Sequence, residues 1–231
     1  MNEEQIIPRC VGFIMDGNRR FALERGEGSF SGHEAGLKNF FNVCQWVQEK
    51  KITHAVFYAF STENWKRGKV EVEGLMRLFL QMTEEMLKKL ATDKEKLRVR
   101  FIGQREDLSP KLLQAVEKLE QATMHYGDIT TIWVALSYGG RAEIVSAANQ
   151  AVAKGEKVSE ETFAQLLWSA ELPGIDLIIR TGGDTRLSNF MTWHSVYSEL
   201  VFSDTYWPAF TKDEFERILS LYGTKDRRYG K

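Results

Sequence analysis

Residues 180–188 put two guanidiniums (Arg180 and Arg186), a hydroxyl (Ser188) and the pair Gly182 and Gly183 into nine positions directly behind the apolar run 175–179. A buried strand that ends in a glycine turn lets backbone N–H groups approach an anion closely, and planar guanidinium forks grip phosphate oxygens two at a time. The pattern points to a phosphate seat; the alternative on this stretch alone is a loop of solvated arginines. A second such turn follows the mostly apolar run 10–15, where Asp16, Gly17, Asn18, Arg19, Arg20 and Phe21 are consecutive. An aspartate there can hold Mg²⁺ against a diphosphate while the arginines and nearby helix N–H groups take the remaining oxygens. The plainer reading is an Asp-Gly turn.

In a third stretch, Phe60, Ser61, Thr62, Glu63, Asn64, Trp65 and Arg67 mix aromatic with polar side chains. Phe60 and Trp65 can wall an apolar chain while Ser61, Asn64 and Arg67 meet its polar head; the same residues are also good N-cap material for a following helix. Tyr138, Gly139, Gly140 and Arg141 again join glycines to an arginine ahead of a helical pattern. His33 follows Gly32 and either caps its helix or reaches the Asp16 turn, and Glu199 is either an isolated rim carboxylate or a second Mg²⁺ ligand. His54, His125 and His194 have no ligand spacing with one another, so no metal is assigned to them.

These residues need a frame. Short β-rich runs at 10–15, 55–60, 97–102, 130–136, 175–179 and 200–202 alternate with helical patterns at 33–50, 70–90, 108–124, 141–153, 160–167 and 212–221. The alternation, with near-continuous apolar strands, predicts an α/β fold with a mainly parallel sheet covered by helices on both faces. In such sheets ligands sit beyond the carboxyl ends of the strands, where the motifs fall. The 231 residues have 43% hydrophobic and 27% charged content and no punctuation that forces a division, so one domain over 1–231 is expected. A net charge of −1 argues against a general nucleic-acid binder, so an anion site has to be local. Cys10 and Cys44 lack metal spacing and read as buried thiols, residues 1–8 carry acids where a signal peptide needs a basic start, and no membrane span is evident. The expected location is cytoplasmic.

In order and spacing, the Asp16 turn, Gly32 with His33, the 60–67 segment, Tyr138 to Arg141, and the stretch from Arg180 to Glu199 resemble the cis-prenyltransferases, the undecaprenyl diphosphate synthase family. The resemblance runs from about residue 10 to residue 230. It implies a homodimer of single cis-prenyltransferase-like domains, each with a six-stranded parallel sheet and an apolar tunnel for the growing prenyl chain. Asp16 then corresponds to the aspartate that handles Mg²⁺ and the allylic diphosphate, with Gly17, Asn18, Arg19, Arg20 and Phe21 around it and His33 on the phosphate side. Phe60, Ser61, Glu63, Asn64, Trp65 and Arg67 match the segment that closes on both substrates, Ser61, Glu63 and Asn64 being candidates for the chemical step. Arg180, Arg186 and Ser188 match the isopentenyl diphosphate site, and Glu199 the second carboxylate associated with Mg²⁺. Arg228 and Gly230 match a C-terminal Arg-x-Gly that reaches the neighbouring subunit's site. Four positions depart from the family pattern: Phe21, where tryptophan is usual, Ser29, Ser137 and His194, the last standing where glutamine is usual.

The activity so implied is Mg²⁺-dependent condensation of isopentenyl diphosphate with an allylic diphosphate such as farnesyl or geranyl diphosphate, creating a cis double bond, with peripheral membrane contact at product release. Its alternatives are a short-chain or head-to-middle (lavandulyl-type) synthase on the same scaffold, and an inactive partner subunit of a heteromeric enzyme. Ala59, Gly74, the 75–86 helix and Trp133 are the candidate tunnel lining, or else ordinary core.

Overall fold

The computed structural model describes residues 6–92, 96–127, 129–155 and 157–225. The apolar runs become β1 (Cys10–Ile14), β2 (His54–Ser61), β3 (Arg98–Ile102), β4 (Thr131–Tyr138), β5 (Leu177–Arg180) and β6 (Glu199–Phe202). They form one sheet in the order β3-β4-β2-β1-β5-β6, with every neighbouring pair parallel. The helices are α1 (Asn18–Glu24), α2 (Ser29–Glu49), α3 (Lys69–Thr92), α4 (Pro110–Thr123), α5 (Gly140–Lys154), α6 (Glu160–Ala164) and α7 (Lys212–Gly223). One of them was not expected: residues beyond the Asp16 turn wind at once into α1, which puts Arg19 and Arg20 in its first turn.

Strand alternation divides the interior in two. Val11 and Phe13 of β1 point into a large cluster with Phe57, Val134 and Ile179, and α2, α3, α4 and α7 close it through Phe40, Phe79, Val116 and Phe215. Cys10 and Ile14 point the other way, toward Val56, Trp133, Ile178 and Phe190. Gly12 shares that second face, and a Cβ there would lie 2.9 Å from the buried Phe190 ring. Trp133 therefore belongs to the face away from α2 and α3, against its expected place in a tunnel lining.

The connectivity fixes where a ligand can sit. From β1 the chain builds β2, then β3 and β4, to one side, and crosses back to lay β5 on the other side of β1. The strand order reverses between β1 and β5, so a crevice opens outside their carboxyl ends. Asp16 follows β1, Arg180 ends β5, and their strands are in register with Ile14 opposite Arg180. No helix among the described residues is long and apolar enough to cross a membrane.

Candidate active site

Outside that crevice lies a cleft of about 830 Å³ lined by Asp16 to Arg20, His33, Ser61, Glu63, Asn64, Arg67, Arg180, Asp184, Arg186, Ser188 and Asn189, among others. Asp16 is held at both oxygens. Its Oδ1 accepts the Gly17 N–H at 2.6 Å and lies 3.2 Å from Arg20, while its Oδ2 accepts an Nη2–H of Arg180 at 2.8 Å. The sharp return of the chain needs Gly17, whose φ of 98° is left-handed and whose hydrogen faces the Tyr206 ring, where a Cβ would come within 2.6 Å.

Arg180 is 3% exposed and spreads its fork across the loop it begins. Its Nη1 donates to the Ser188 hydroxyl at 2.8 Å and to the Arg186 carbonyl at 2.5 Å, leaving a buried Nε–H without a partner. Asp184 sits among three guanidiniums: Arg186 at 2.8 Å, Arg20 at 3.5 Å and Arg180 at 3.6 Å. The Arg186 hydrogen bonds and charge hold the Asp184 carboxyl below the usual range. Asp184 carries this weight although only the arginines and serine around it were singled out in the sequence.

On the opposite wall, Thr62–Lys66 form a 3₁₀ turn in which the Asn64 side-chain oxygen accepts the Ser61 N–H at 3.1 Å, so the capping and binding roles of this segment coexist. Glu63 accepts from the Asn189 amide at 2.9 Å and ties this wall to the arginine loop. Arg67 pairs with Glu71 of α3 at 3.1 Å, and the same carboxylate lies 3.8 Å from Arg19 and 3.9 Å from His33 Nε2. Burial, then the positive charge of Arg67, lowers the His33 pKa to about 4, so the ring is neutral near pH 7 and its buried Nε2 has no hydrogen-bond partner.

Four of the residues expected at the site fall elsewhere. Phe60, at the bulged end of β2, is buried in the core against Phe79 and Trp65, and neither Phe60 nor Trp65 lines the cleft. The Trp65 indole N–H is instead engaged by Ser137 at 2.8 Å. Phe21 lies under the Arg25 guanidinium and off the cleft. Glu199 starts β6 opposite Leu177, at the far end of the strand from the Arg180 loop, and is paired with Lys225; within one chain it does not reach Asp16. Arg228 and Gly230 lie outside the described residues. Conversely, Asp184, Asn189, Glu71 and Tyr58 were missed. Asp184 and Asn189 adjoin recognised arginines and Ser188, a signal that was available, whereas Glu71 is one more acid on an amphipathic helix.

The cleft floor leads into apolar surroundings. Met15, Asn18, His33, Ala59 and Leu75 are shared with a pocket of about 60 Å³ whose remaining walls include Leu37, Phe40, Phe79, Met82 and Val134. Gly74, expected in this lining, packs under the Phe30 ring instead. Five arginines face three carboxylates across the cleft. No cluster of three metal-ligating side chains occurs among the described residues. Mg²⁺ in general takes one or two carboxylates and completes its shell with phosphate oxygens and water. A carboxylate offers about four acceptor sites, so with three occupied Asp16 retains capacity for a cation.

The family described as "Putative undecaprenyl diphosphate synthase" matches residues 14–230 of the chain. An isoprenyl transferase from Thermotoga maritima is 43% identical over 229 residues, covering 97% of this chain and 97% of the relative. A tritrans,polycis-undecaprenyl-diphosphate synthase (geranylgeranyl-diphosphate specific) from Pyrococcus abyssi is 39% identical over 233 residues, covering 98% of this chain and 88% of the relative. The crystal structure of lavandulyl diphosphate synthase from Lavandula x intermedia, in complex with dimethylallyl diphosphate, superposes with a TM-score of 0.93 at 29% identity, covering 99% of this chain and 100% of that one.

Proposed function

The chain belongs to the undecaprenyl diphosphate synthase family of prenyltransferases, and from that premise we propose that its cleft joins isopentenyl diphosphate to an allylic diphosphate primer and extends a cis-polyprenyl diphosphate. The observation that carries the proposal is the 2.8 Å contact of Asp16 with Arg180, 164 positions apart, in a cation-rich cleft that shares its floor with an apolar pocket. A diphosphate head and a hydrocarbon tail need those two environments side by side.

In this reading the allylic diphosphate sits over the Asp16 turn, with Arg19, Arg20 and the neutral His33 around it and its tail directed past Ala59 and Leu75 between α2 and α3. Isopentenyl diphosphate occupies the loop of Arg180, Arg186 and Ser188. Mg²⁺, held by Asp16 when bound, would supply counter-charge to the departing diphosphate. Preorganised guanidiniums stabilise the same developing negative charge, and two anchored heads bring the reacting carbons together. Ser61, Glu63, Asn64 and Arg67 supply the polar wall adjoining both heads and are assigned to closing over them, with the C2 proton passing to an acceptor in the Ser61 to Asn64 segment or to a diphosphate oxygen. Deepening of the apolar pocket into a tunnel accompanies chain growth.

We further propose a cytoplasmic homodimer. Val196, Tyr197, Leu200 and Phe202 expose apolar surface along the β6 edge and the segment before it, a face that a second copy would cover, and Glu199 lies on that strand. The free, buried thiols of Cys10 and Cys44 suit a reducing compartment. Leu23 on the cleft rim, and the exposed Phe30 and Val70, offer apolar contacts for a membrane surface at product release. A second reading, a short-chain or head-to-middle synthase, is favoured by the small apolar pocket and by the likeness to the lavandulyl enzyme.

Incubation of the purified protein with Mg²⁺, labelled isopentenyl diphosphate and dimethylallyl, geranyl, farnesyl or geranylgeranyl diphosphate, followed by mass spectrometry and assignment of double-bond geometry, tests both. Long cis products support the first reading, a ten-carbon branched product the second, and no incorporation with any primer overturns the enzyme assignment.

A further inference from the structure

Glu143, in the first turn of α5, is a fully buried carboxyl that forms no ion pair among the described residues. Its acceptors are nevertheless filled. The Tyr138 hydroxyl donates to Oε2 at 2.5 Å, and the Ser169 N–H and hydroxyl donate to Oε1 at 2.9 and 2.6 Å. With Glu143 ionised, the single hydroxyl proton of Ser169 is used there, and the 2.8 Å contact between Ser169 Oγ and His194 Nε2 is then donated by the ring in its Nε2–H tautomer. Burial lowers the His194 pKa to about 4, consistent with a neutral ring. His194 lines a groove of about 860 Å³ with Leu172, Asp176, Trp193 and Val196, so the chain of hydrogen bonds runs from that groove inward.

Its inner end meets the arginine loop. The Tyr58 hydroxyl lies 3.3 Å from the Tyr138 backbone oxygen and 3.2 Å from the Ser188 carbonyl, and its one proton is shared between these two acceptors. At the start of α5, Gly140 N–H donates to the Asn189 carbonyl and Arg141 N–H to its side-chain oxygen, both at 2.8 Å. Ser188 and Asn189 both have left-handed backbone, φ 50° and 67°, although neither is glycine. Such a conformation persists only where its surroundings over-determine it. Ser188 in turn holds Arg180, so whatever fixes the first turn of α5 fixes the phosphate-binding fork.

We propose that Glu143 is a positioning residue for the arginine loop: by fastening Tyr138, Ser169 and the first turn of α5 to one another, it holds Ser188 and Asn189 in place, with His194 as the outer support of the same assembly. This rests on the loop being the isopentenyl diphosphate seat. A satisfied buried network confers such rigidity, and a single mismatched member undoes it.

Steady-state kinetics on Glu143→Gln and Tyr138→Phe test the assignment. The amide replaces the oxygen that accepts from Tyr138 by a group that only donates, so the Tyr138 hydroxyl has to reverse, and the second change removes that hydroxyl. Each is expected to raise KM for isopentenyl diphosphate about tenfold with KM for the allylic primer within about twofold. His194→Gln, which can still donate to Ser169, is expected to keep a native KM, whereas His194→Leu raises it. Calorimetric titration with inorganic diphosphate, expected to weaken in the same variants, reads the loop independently of turnover. Equal changes in both KM values, a fall in kcat alone, or His194→Gln behaving like His194→Leu would overturn the proposal. If Glu143→Gln fails to fold, Tyr138→Phe decides. Wild-type protein that binds diphosphate but never incorporates isopentenyl diphosphate would instead sink the functional reading, leaving the diphosphate titrations to judge the loop.

Discussion

Asp16 concentrates the consequences of this structure at a single side chain. Its carboxylate touches two arginines and one backbone N–H, and it is the carboxylate at the centre of the cleft. Asp16→Asn keeps the shape and the Oδ1 acceptor but discards the charge that a cation needs. The expected result is a fall in kcat of at least about a hundredfold, with a native far-UV circular dichroism spectrum; near-native turnover would remove Asp16 from the mechanism. Arg180 makes a complementary case. Three contacts use two separate nitrogens in one plane, a geometry that an ammonium cannot copy. Arg180→Lys should therefore raise KM for isopentenyl diphosphate by about tenfold or more, a change that initial-rate measurements would resolve from any change in kcat.

Among the elements, β1 has the least freedom, because both its faces are buried and both its neighbours carry site residues. Gly12 is where that freedom runs out. The Phe190 ring at 2.9 Å from an added Cβ is itself fully buried and stacked on Tyr58, so it has no space into which to yield. Gly12→Ala should cost about 1–3 kcal/mol by overpacking, measurable as a lowered urea midpoint with an unchanged slope, and a neutral effect would mean that the Phe190 face repacks. The six strands were legible in the sequence because each is a short apolar or β-rich run, near-continuous where both faces are buried as in β1, β4 and β5, and the strand ends announced the two anion turns. Helix α1 was hidden, since Asn18 to Arg20 carry the polar side chains of a turn and only seven residues wind up. The misplacement of Phe60 has a similar source: spacing gives the order of residues at the end of β2, but a bulge between Tyr58 and Ser61 breaks the strand alternation, and Phe60 packs in the core against Phe79. Glu199 illustrates the limit from the other side, because pairings between distant segments, such as Glu199 with Lys225, depend on the assembled sheet and leave no local pattern.

For the molecule as a whole, near-neutral net charge conceals an uneven distribution that also governs its behaviour in acid. Two histidines, His33 at the cleft and His194 at the groove, are held neutral, each with its pKa lowered to about 4, and in each burial is the leading cause. In the unfolded chain a histidine titrates near its ordinary value of about 6.5. Between those values the unfolded state binds more protons than the native state, so stability rises with pH across this window, is fully present above about 6.5, and is lost as pH falls toward 4. The slope this adds is at most about 1.4 kcal/mol per pH unit for each histidine. Urea unfolding near pH 7 and near pH 5 should therefore show a marked loss of stability for the wild-type protein. His194→Gln, with one titrating ring fewer and its hydrogen bond to Ser169 retained, should show a smaller loss between the same two conditions. Equal losses in the two proteins would mean that His194 is protonated in the folded state as readily as in the unfolded chain, and that the Ser169 contact is then made by an imidazolium.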